Sequence, residues 1–177
     1  IAIAHDVTGE DQWIAALDRA ISHFGGLHVL VNNAGIGAQK TVEDISLEEW
    51  RRVHAIDLDG VFLGCKYAIK HMAKSVKETK LGGSIVNISS ISGIIAGANM
   101  AAYNSAKAGV RHLSKSVALH CARQGYAIRS NSVHPVFIAT PILAGVFGPR
   151  SAVVIVSIPI LVANTLLLIT GWRVVPR

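Results

Sequence analysis

Tyr103 and Lys107 are four residues apart, so on a helix they share one face, one turn from each other. An ammonium beside a phenol favours the phenolate, whose ordinary pKa of about 10 is too high for a base at neutral pH. Such a pair can exchange a proton with a substrate hydroxyl. The same spacing also describes an ordinary solvated helix face, so the surrounding elements have to decide. Ser90 lies thirteen residues upstream, at the end of Gly83-Ser84-Ile85-Val86-Asn87-Ile88-Ser89-Ser90. That segment reads as a buried strand running into a small-residue loop at Ser92-Gly93. Open parallel sheets bind ligands where strands deliver their carboxyl ends. A serine at that edge, followed by a helix with Tyr103 and Lys107, can converge on one substrate oxygen.

The elements that must hold these residues follow from periodicity. Ile1 to Val7 reads as a strand running into a loop. Trp13, Ile14, Ala16, Leu17, Ala20, Ile21 and Phe24 recur at helical spacing and stop at Gly25-Gly26. Leu27 to Val31 is a short apolar strand, and Asn32-Asn33-Ala34-Gly35 follows it. Small residues there let the backbone approach a ligand, and amides can pin neighbouring strands; an Asx-rich turn is the plainer alternative. Ser46-Leu47-Glu48-Glu49 has capping-box spacing. A long helical pattern runs from it through Trp50, Val53, Ile56, Val61, Phe62, Cys65, Ala68, Ile69 and Met72. Val76 to Gly83 reads as a polar loop, Ile91 to Met100 as an apolar loop, and about Ala101 to Arg123 as a helix. Its stripe is Val110, Leu113, Val117, Ala118 and Cys121.

Composition narrows the class. The 177 residues suit one domain with a sizeable core. With 51% apolar and 16% charged residues, the chain suits a sheet covered on both faces. A net charge of +6 suggests nucleic acid, but Lys and Arg are scattered without aromatic interleaving, which argues against it. Cys65 and Cys121 lack metal-ligand spacing and read as buried free thiols in a reducing compartment, so no metal is expected. No signal peptide opens the chain, and the expected location is cytoplasmic.

In their order and spacing, Asn32-Asn33-Ala34-Gly35, Ser90 and Tyr103-Asn104-Ser105-Ala106-Lys107 resemble the short-chain dehydrogenase/reductase family, over about Asp6 to Leu143. Cys121 to Pro135 is similar to the branch that contains bacterial 3β/17β-hydroxysteroid and cyclic-alcohol dehydrogenases. The resemblance implies an α/β fold with a Rossmann-like, doubly wound parallel sheet. It also implies NAD- or NADP-linked interconversion of a secondary alcohol and a ketone, with a hydrophobic or cyclic substrate. Tyr103 is then the general acid/base, Ser90 orients substrate, and Lys107 binds the nicotinamide ribose and lowers the Tyr103 pKa. Asp6, Val7, Asn33, Ala34, Gly35, Tyr103, Lys107, Ile138 and Thr140 are the implied cofactor contacts. Asp57 stands where the family has an Asn completing the catalytic tetrad; its charge can pair with Lys107 and weaken the lysine's field at Tyr103. The long helices imply a homo-oligomer.

Two departures accompany the resemblance. No Gly-x-x-x-Gly-x-Gly turn occurs in the sequence, which implies that the first βαβ unit is missing, and with it the residue that separates NAD from NADP. An inactive truncated chain, at most an interaction module, is therefore the rival reading. After about Val146 the likeness frays, which divides the chain into a partial dinucleotide-binding and catalytic domain, 1–146, and a divergent apolar tail, 147–177. Ser151 to Trp172 has no charged residue and meets the hydropathy criterion for a membrane span. Pro159 and Asn164 interrupt it and favour a buried or frame-shifted tail over a span.

Overall fold

A computed structural model describes residues 1–136 of the chain. The elements run α1 (Glu10–Phe24), β1 (Val29–Asn32), α2 (Leu47–His54), a π-turn (Ala55–Asp59), α3 (Gly60–Thr79), β2 (Gly83–Ile88), a 3₁₀ turn (Ile91–Gly93), α4 (Ala101–Arg123) and β3 (Ile128–Val133). Ile138, Thr140, the 146/147 boundary and the 151–172 segment lie outside the described residues. Among the described residues, no helix is long and apolar enough to cross a membrane.

The three strands form a parallel sheet in the order β1-β2-β3. Val29 pairs with Ser84 at one edge, and Ile88 with Val133 at the other. Parallel neighbours require crossovers, and the helices supply them: α3 packs on β1 and β2, α4 on β2 and β3. Leu17, Leu30, Met72, Ile85 and Val110 fill the space between sheet and helices, each essentially without solvent contact. Both thiols are buried. These contacts realise the α/β, Rossmann-like architecture expected from the sequence.

Local signals explain the helix ends. Gly25 caps α1 at φ 81°, a left-handed conformation that costs glycine little, and donates its N–H to the Ile21 carbonyl. Ser46 caps α2 by accepting from the Glu49 N–H at 3.1 Å.

Several expectations are corrected. Ile1 to Asp6 forms no strand among the described residues, because a strand exists only through a ladder partner. Ile14 and Phe24 stay exposed, since α1 buries only the narrower stripe Trp13, Ala16, Leu17 and Ala20. The loop expected from Val76 is helix as far as Thr79: Val76 packs inward while Lys77 and Glu78 face solvent, which suits an exposed helix face. The single long helix is interrupted by the π-turn, whose extra residue per turn changes which side chains point inward.

Candidate active site

The carboxyl end of β2 carries Ser90, and four contacts fix its backbone. The Ser89 N–H donates to the Val133 carbonyl at 2.8 Å, and the Ile91 N–H to the Pro135 carbonyl at 3.0 Å. The Ser90 carbonyl accepts from Gly93 N–H and from His134 Nδ1, both at 2.9 Å. The Ser90 hydroxyl accepts from the Ser92 N–H at 3.1 Å. Gly93 is needed because a Cβ there would lie 2.7 Å from the Lys107 carbonyl oxygen. The Ser89 hydroxyl donates to that same carbonyl at 2.7 Å, so a side chain at the strand end is tied to the backbone of the helix.

On α4, Lys107 points inward. Its Nζ donates to the Ile88 carbonyl at 3.0 Å, lies 3.1 Å from Asp57 Oδ2 and sits 5.6 Å from the centre of the Tyr103 ring. The Oδ2 contact is a charge pair without hydrogen-bond alignment. The π-turn brings Asp57 into this space fully buried, and its other oxygen accepts from the Ile36 N–H at 2.7 Å. Burial holds the Asp57 carboxyl above the ordinary carboxylate range; Lys107, the Ile36 N–H and His54 pull the other way.

Tyr103 is half-buried, and its phenol is pushed above the ordinary value. Burial is the main cause and the Asp57 charge adds to it, while the neighbouring Ser90 hydroxyl favours the phenolate. The net direction is set by burial, whatever Lys107 contributes to it. The cation stands over the ring and beside the buried carboxylate.

The structure therefore brings Ser90, Tyr103, Lys107 and Asp57 together at the carboxyl edge of the sheet. Gly35 adjoins them: a Cβ there would sit 3.0 Å from Asp57 Oδ2 and 3.1 Å from Lys107 Nζ. Asn33 and Ala34 line a neighbouring cavity with His5, Val7, Trp13 and Ile56. Asp6 lies beside it at the surface. Its Oδ1 accepts from the Thr8 N–H and hydroxyl, both at 2.9 Å, and these bonds hold its pKa below the usual range. The Val7 carbonyl accepts from Trp13 Nε1 at 2.9 Å. Asn32 reaches across the sheet to Asn87 at 2.8 Å, and Asn87 to Ser114 at 2.9 Å, which is the strand-pinning role expected of these amides.

Two contacts escaped the sequence reading. His134 clamps Ser90; the signal available was a histidine directly before Pro135 at the end of a strand. His54 meets Ser105, which stands inside the Tyr-x-x-x-Lys segment and carried no signal of its own.

A family model described as enoyl-(acyl carrier protein) reductase matches residues 1–159. The chain is 42% identical over 146 residues to an NADP-dependent (R)-specific alcohol dehydrogenase of Lentilactobacillus kefiri, spanning 82% of this chain and 56% of that protein. It is 49% identical over 140 residues to trans-4-hydroxycyclohexanecarboxylate dehydrogenase of Sinomonas cyclohexanicum, spanning 79% and 51%. With 3-alpha-(or 20-beta)-hydroxysteroid dehydrogenase of Mycobacterium tuberculosis it shares 47% over 136 residues, spanning 77% and 50%. Among solved structures, the ligand-free aldohexose dehydrogenase of Thermoplasma acidophilum superposes with a TM-score of 0.70 at 36% identity, over 85% of this chain and 58% of that one. The chain spans about half the length of the curated relatives it matches.

Proposed function

The chain belongs to the short-chain dehydrogenase/reductase family, and we propose that its site serves NAD(P)-dependent interconversion of a secondary alcohol and a ketone. The observation that carries this reading is the convergence of Ser90, Tyr103 and Lys107 at the carboxyl edge of a parallel sheet. In the oxidation direction, Tyr103 takes the hydroxyl proton as a general base. Ser90 hydrogen-bonds the same oxygen and holds it against the phenol. Lys107 supplies positive charge beside the ring and a donor for a ribose hydroxyl. Asp57 holds Lys107 in place through the ion pair. In ketone reduction Tyr103 returns the proton.

The residues present fit the adenosine and ribose side of a nicotinamide dinucleotide. His5 Nε2 is buried without a partner in the wall of the cavity that Asn33 and Ala34 line. Gly35 leaves space that a Cβ would fill beside Lys107. Asp6, Val7, Asn33, Ala34, Gly35, Tyr103 and Lys107 would hold the group, with Ile138 and Thr140 beyond the described residues. When bound, the nicotinamide supplies or accepts the hydride. The exposed side chains of Ile94 and Ile95, on the loop between Ser90 and α4, support a hydrophobic or cyclic substrate. An open groove between α3 and α4, edged by exposed Phe62 and Tyr126, supports a homo-oligomer through these helices. The two buried free thiols support a cytoplasmic location.

The lack of a Gly-x-x-x-Gly-x-Gly turn favours a second reading, an inactive chain that acts at most through its helices. Turnover separates the two. At high NAD⁺ or NADP⁺ the chain should oxidise a cyclic secondary alcohol, and Tyr103→Phe should lose about a hundredfold or more of the rate. Absence of turnover in the unaltered chain, or turnover that survives Tyr103→Phe, would overturn the enzymatic reading. Calorimetric titration should show weak binding of either cofactor, because pyrophosphate has no glycine-rich helix start to rest on. Tight binding would contradict that.

A further inference from the structure

His54, the last residue of α2, lies between its own backbone and the helix that bears Tyr103 and Lys107. Its ring stacks on Trp50 with centroids 4.3 Å apart. Nδ1 is 2.9 Å from the Trp50 carbonyl, which can only accept, so Nδ1 carries a proton. Nε2 is 2.9 Å from the Ser105 hydroxyl, and that hydroxyl is also 2.9 Å from the Ala102 carbonyl.

A serine has one proton to give. With neutral His54, Ser105 donates to Nε2 and its contact with Ala102 holds no proton. With cationic His54, Nε2–H donates to Ser105, and Ser105 donates to Ala102. Protonation of the ring therefore adds one hydrogen bond to this network, from Ser105 to the Ala102 carbonyl, while the ring keeps its own two. Ser105 lies midway between Tyr103 and Lys107, and Asp57 follows His54 by three residues on the π-turn.

We propose that His54 is a positioning residue for the Tyr103–Lys107 helix, holding it through Ser105 and coupling the proton on its ring to the buried Asp57–Lys107 pair. The titratable and charged groups at this junction are Asp57 on the π-turn and Tyr103 and Lys107 on α4; Ser105, the direct contact, is neutral. A cationic His54 stabilises the Asp57 carboxylate, in line with its influence on that group. It thereby strengthens the ion pair that fixes Lys107. The inference gives a regulation to the site read above as a dehydrogenase centre, and rests on that reading for its functional meaning alone.

The test uses the full 177-residue chain without cofactor or substrate, so its failure leaves the dehydrogenase reading untouched. Carbon-13 NMR follows the Asp57 carboxyl against pH, alongside the His54 ring carbons. In the unaltered chain the Asp57 signal should show a second inflection at the pH where the His54 ring titrates. His54→Gln should abolish that inflection and move the Asp57 midpoint upward. Ser105→Ala should erase the nitrogen-15 signature of a ring protonated at Nδ1 and bonded at Nε2, and Ser105→Thr should restore it. A role in packing alone would move neither signal. An Asp57 curve without the second inflection, or one unchanged by His54→Gln in a folded variant, overturns the proposal. So does a ring signature that survives Ser105→Ala.

Discussion

Two lysine–carboxylate pairs stand at opposite extremes of burial. Lys107 and Asp57 are 4% and 0% exposed, whereas Lys66 and Glu10 are 46% and 51% exposed. The chemistry of the partners is nearly the same, yet the carboxylates shift in opposite directions. Glu10 is held below the ordinary range by hydrogen bonds from Lys66 and Tyr67. Asp57 is held above it, because desolvation outweighs the lysine, the Ile36 N–H and His54 together. A charged partner decides ionisation at the surface; burial decides it inside. Tyr103 follows the same rule: burial is the main cause of its raised value, and the Asp57 charge adds to it.

The largest contrast should come from removing each lysine. Lys107→Met strands a buried carboxylate and should cost about 3–5 kcal/mol of unfolding free energy, read by urea denaturation at neutral pH. Lys66→Met should leave the denaturation midpoint within error and respond little to salt. Equal effects would break the comparison.

A smaller effect lies in pH dependence. For a carboxyl whose folded pKa exceeds its unfolded value, the unfolded chain ionises first as pH rises. The unfolded state then binds fewer protons, so stability falls across that window. The stability of the unaltered chain relative to Asp57→Asn should therefore decline as pH climbs above 3.8, the ordinary aspartate value. Glu10→Gln should give the opposite slope, because the depressed Glu10 pKa contributes stability that is lost as pH falls. Denaturation series for the variants would show it, and matching slopes would remove the distinction.

The smallest expected change sits on the two tyrosines that face these carboxylates. Asp57 raises the Tyr103 pKa only after burial, so Asp57→Asn should lower the phenol's titration midpoint partway. Glu10 is the main cause of the raised Tyr67 value, so Glu10→Gln should return Tyr67 closer to the ordinary phenol. Ultraviolet titration of the phenols, with Tyr→Phe controls, separates the two. If the enzymatic reading holds, the rising limb of alcohol oxidation should also move to lower pH in Asp57→Asn. An unchanged Tyr103 midpoint would mean that the Asp57 charge does not reach the phenol.

Much of the frame was legible from local chemistry. The α4 boundaries, the Ser46 cap and the Gly25 stop follow from apolar period, a hydroxyl at the N-cap and a residue free to turn left-handed. Ser90, Tyr103 and Lys107 were legible because a strand end and a helical turn place them without long-range knowledge. The π-turn was not, since its apolar residues continue the period on both sides and the added residue satisfies packing rather than propensity. The end of α3 was misjudged because Lys77, Glu78 and Thr79 are polar in a loop and on an exposed helix face alike.

The sequence by itself determined which residue types meet at the edge of the sheet, because spacing within a strand or helix is set by backbone geometry alone. Their ionisation was decided by tertiary structure. Asp57 becomes an acid that resists ionising only when the π-turn buries it against Ile36, Gly35 and Lys107. Those groups and Asp57 itself come from three separate stretches of chain, and desolvation depends on everything packed around a charge, whatever its place in the sequence. The joining of His54 to Ser105, and of His134 to Ser90, is of the same kind: each bond spans more than forty residues and exists only once the helices and strands have closed on one another.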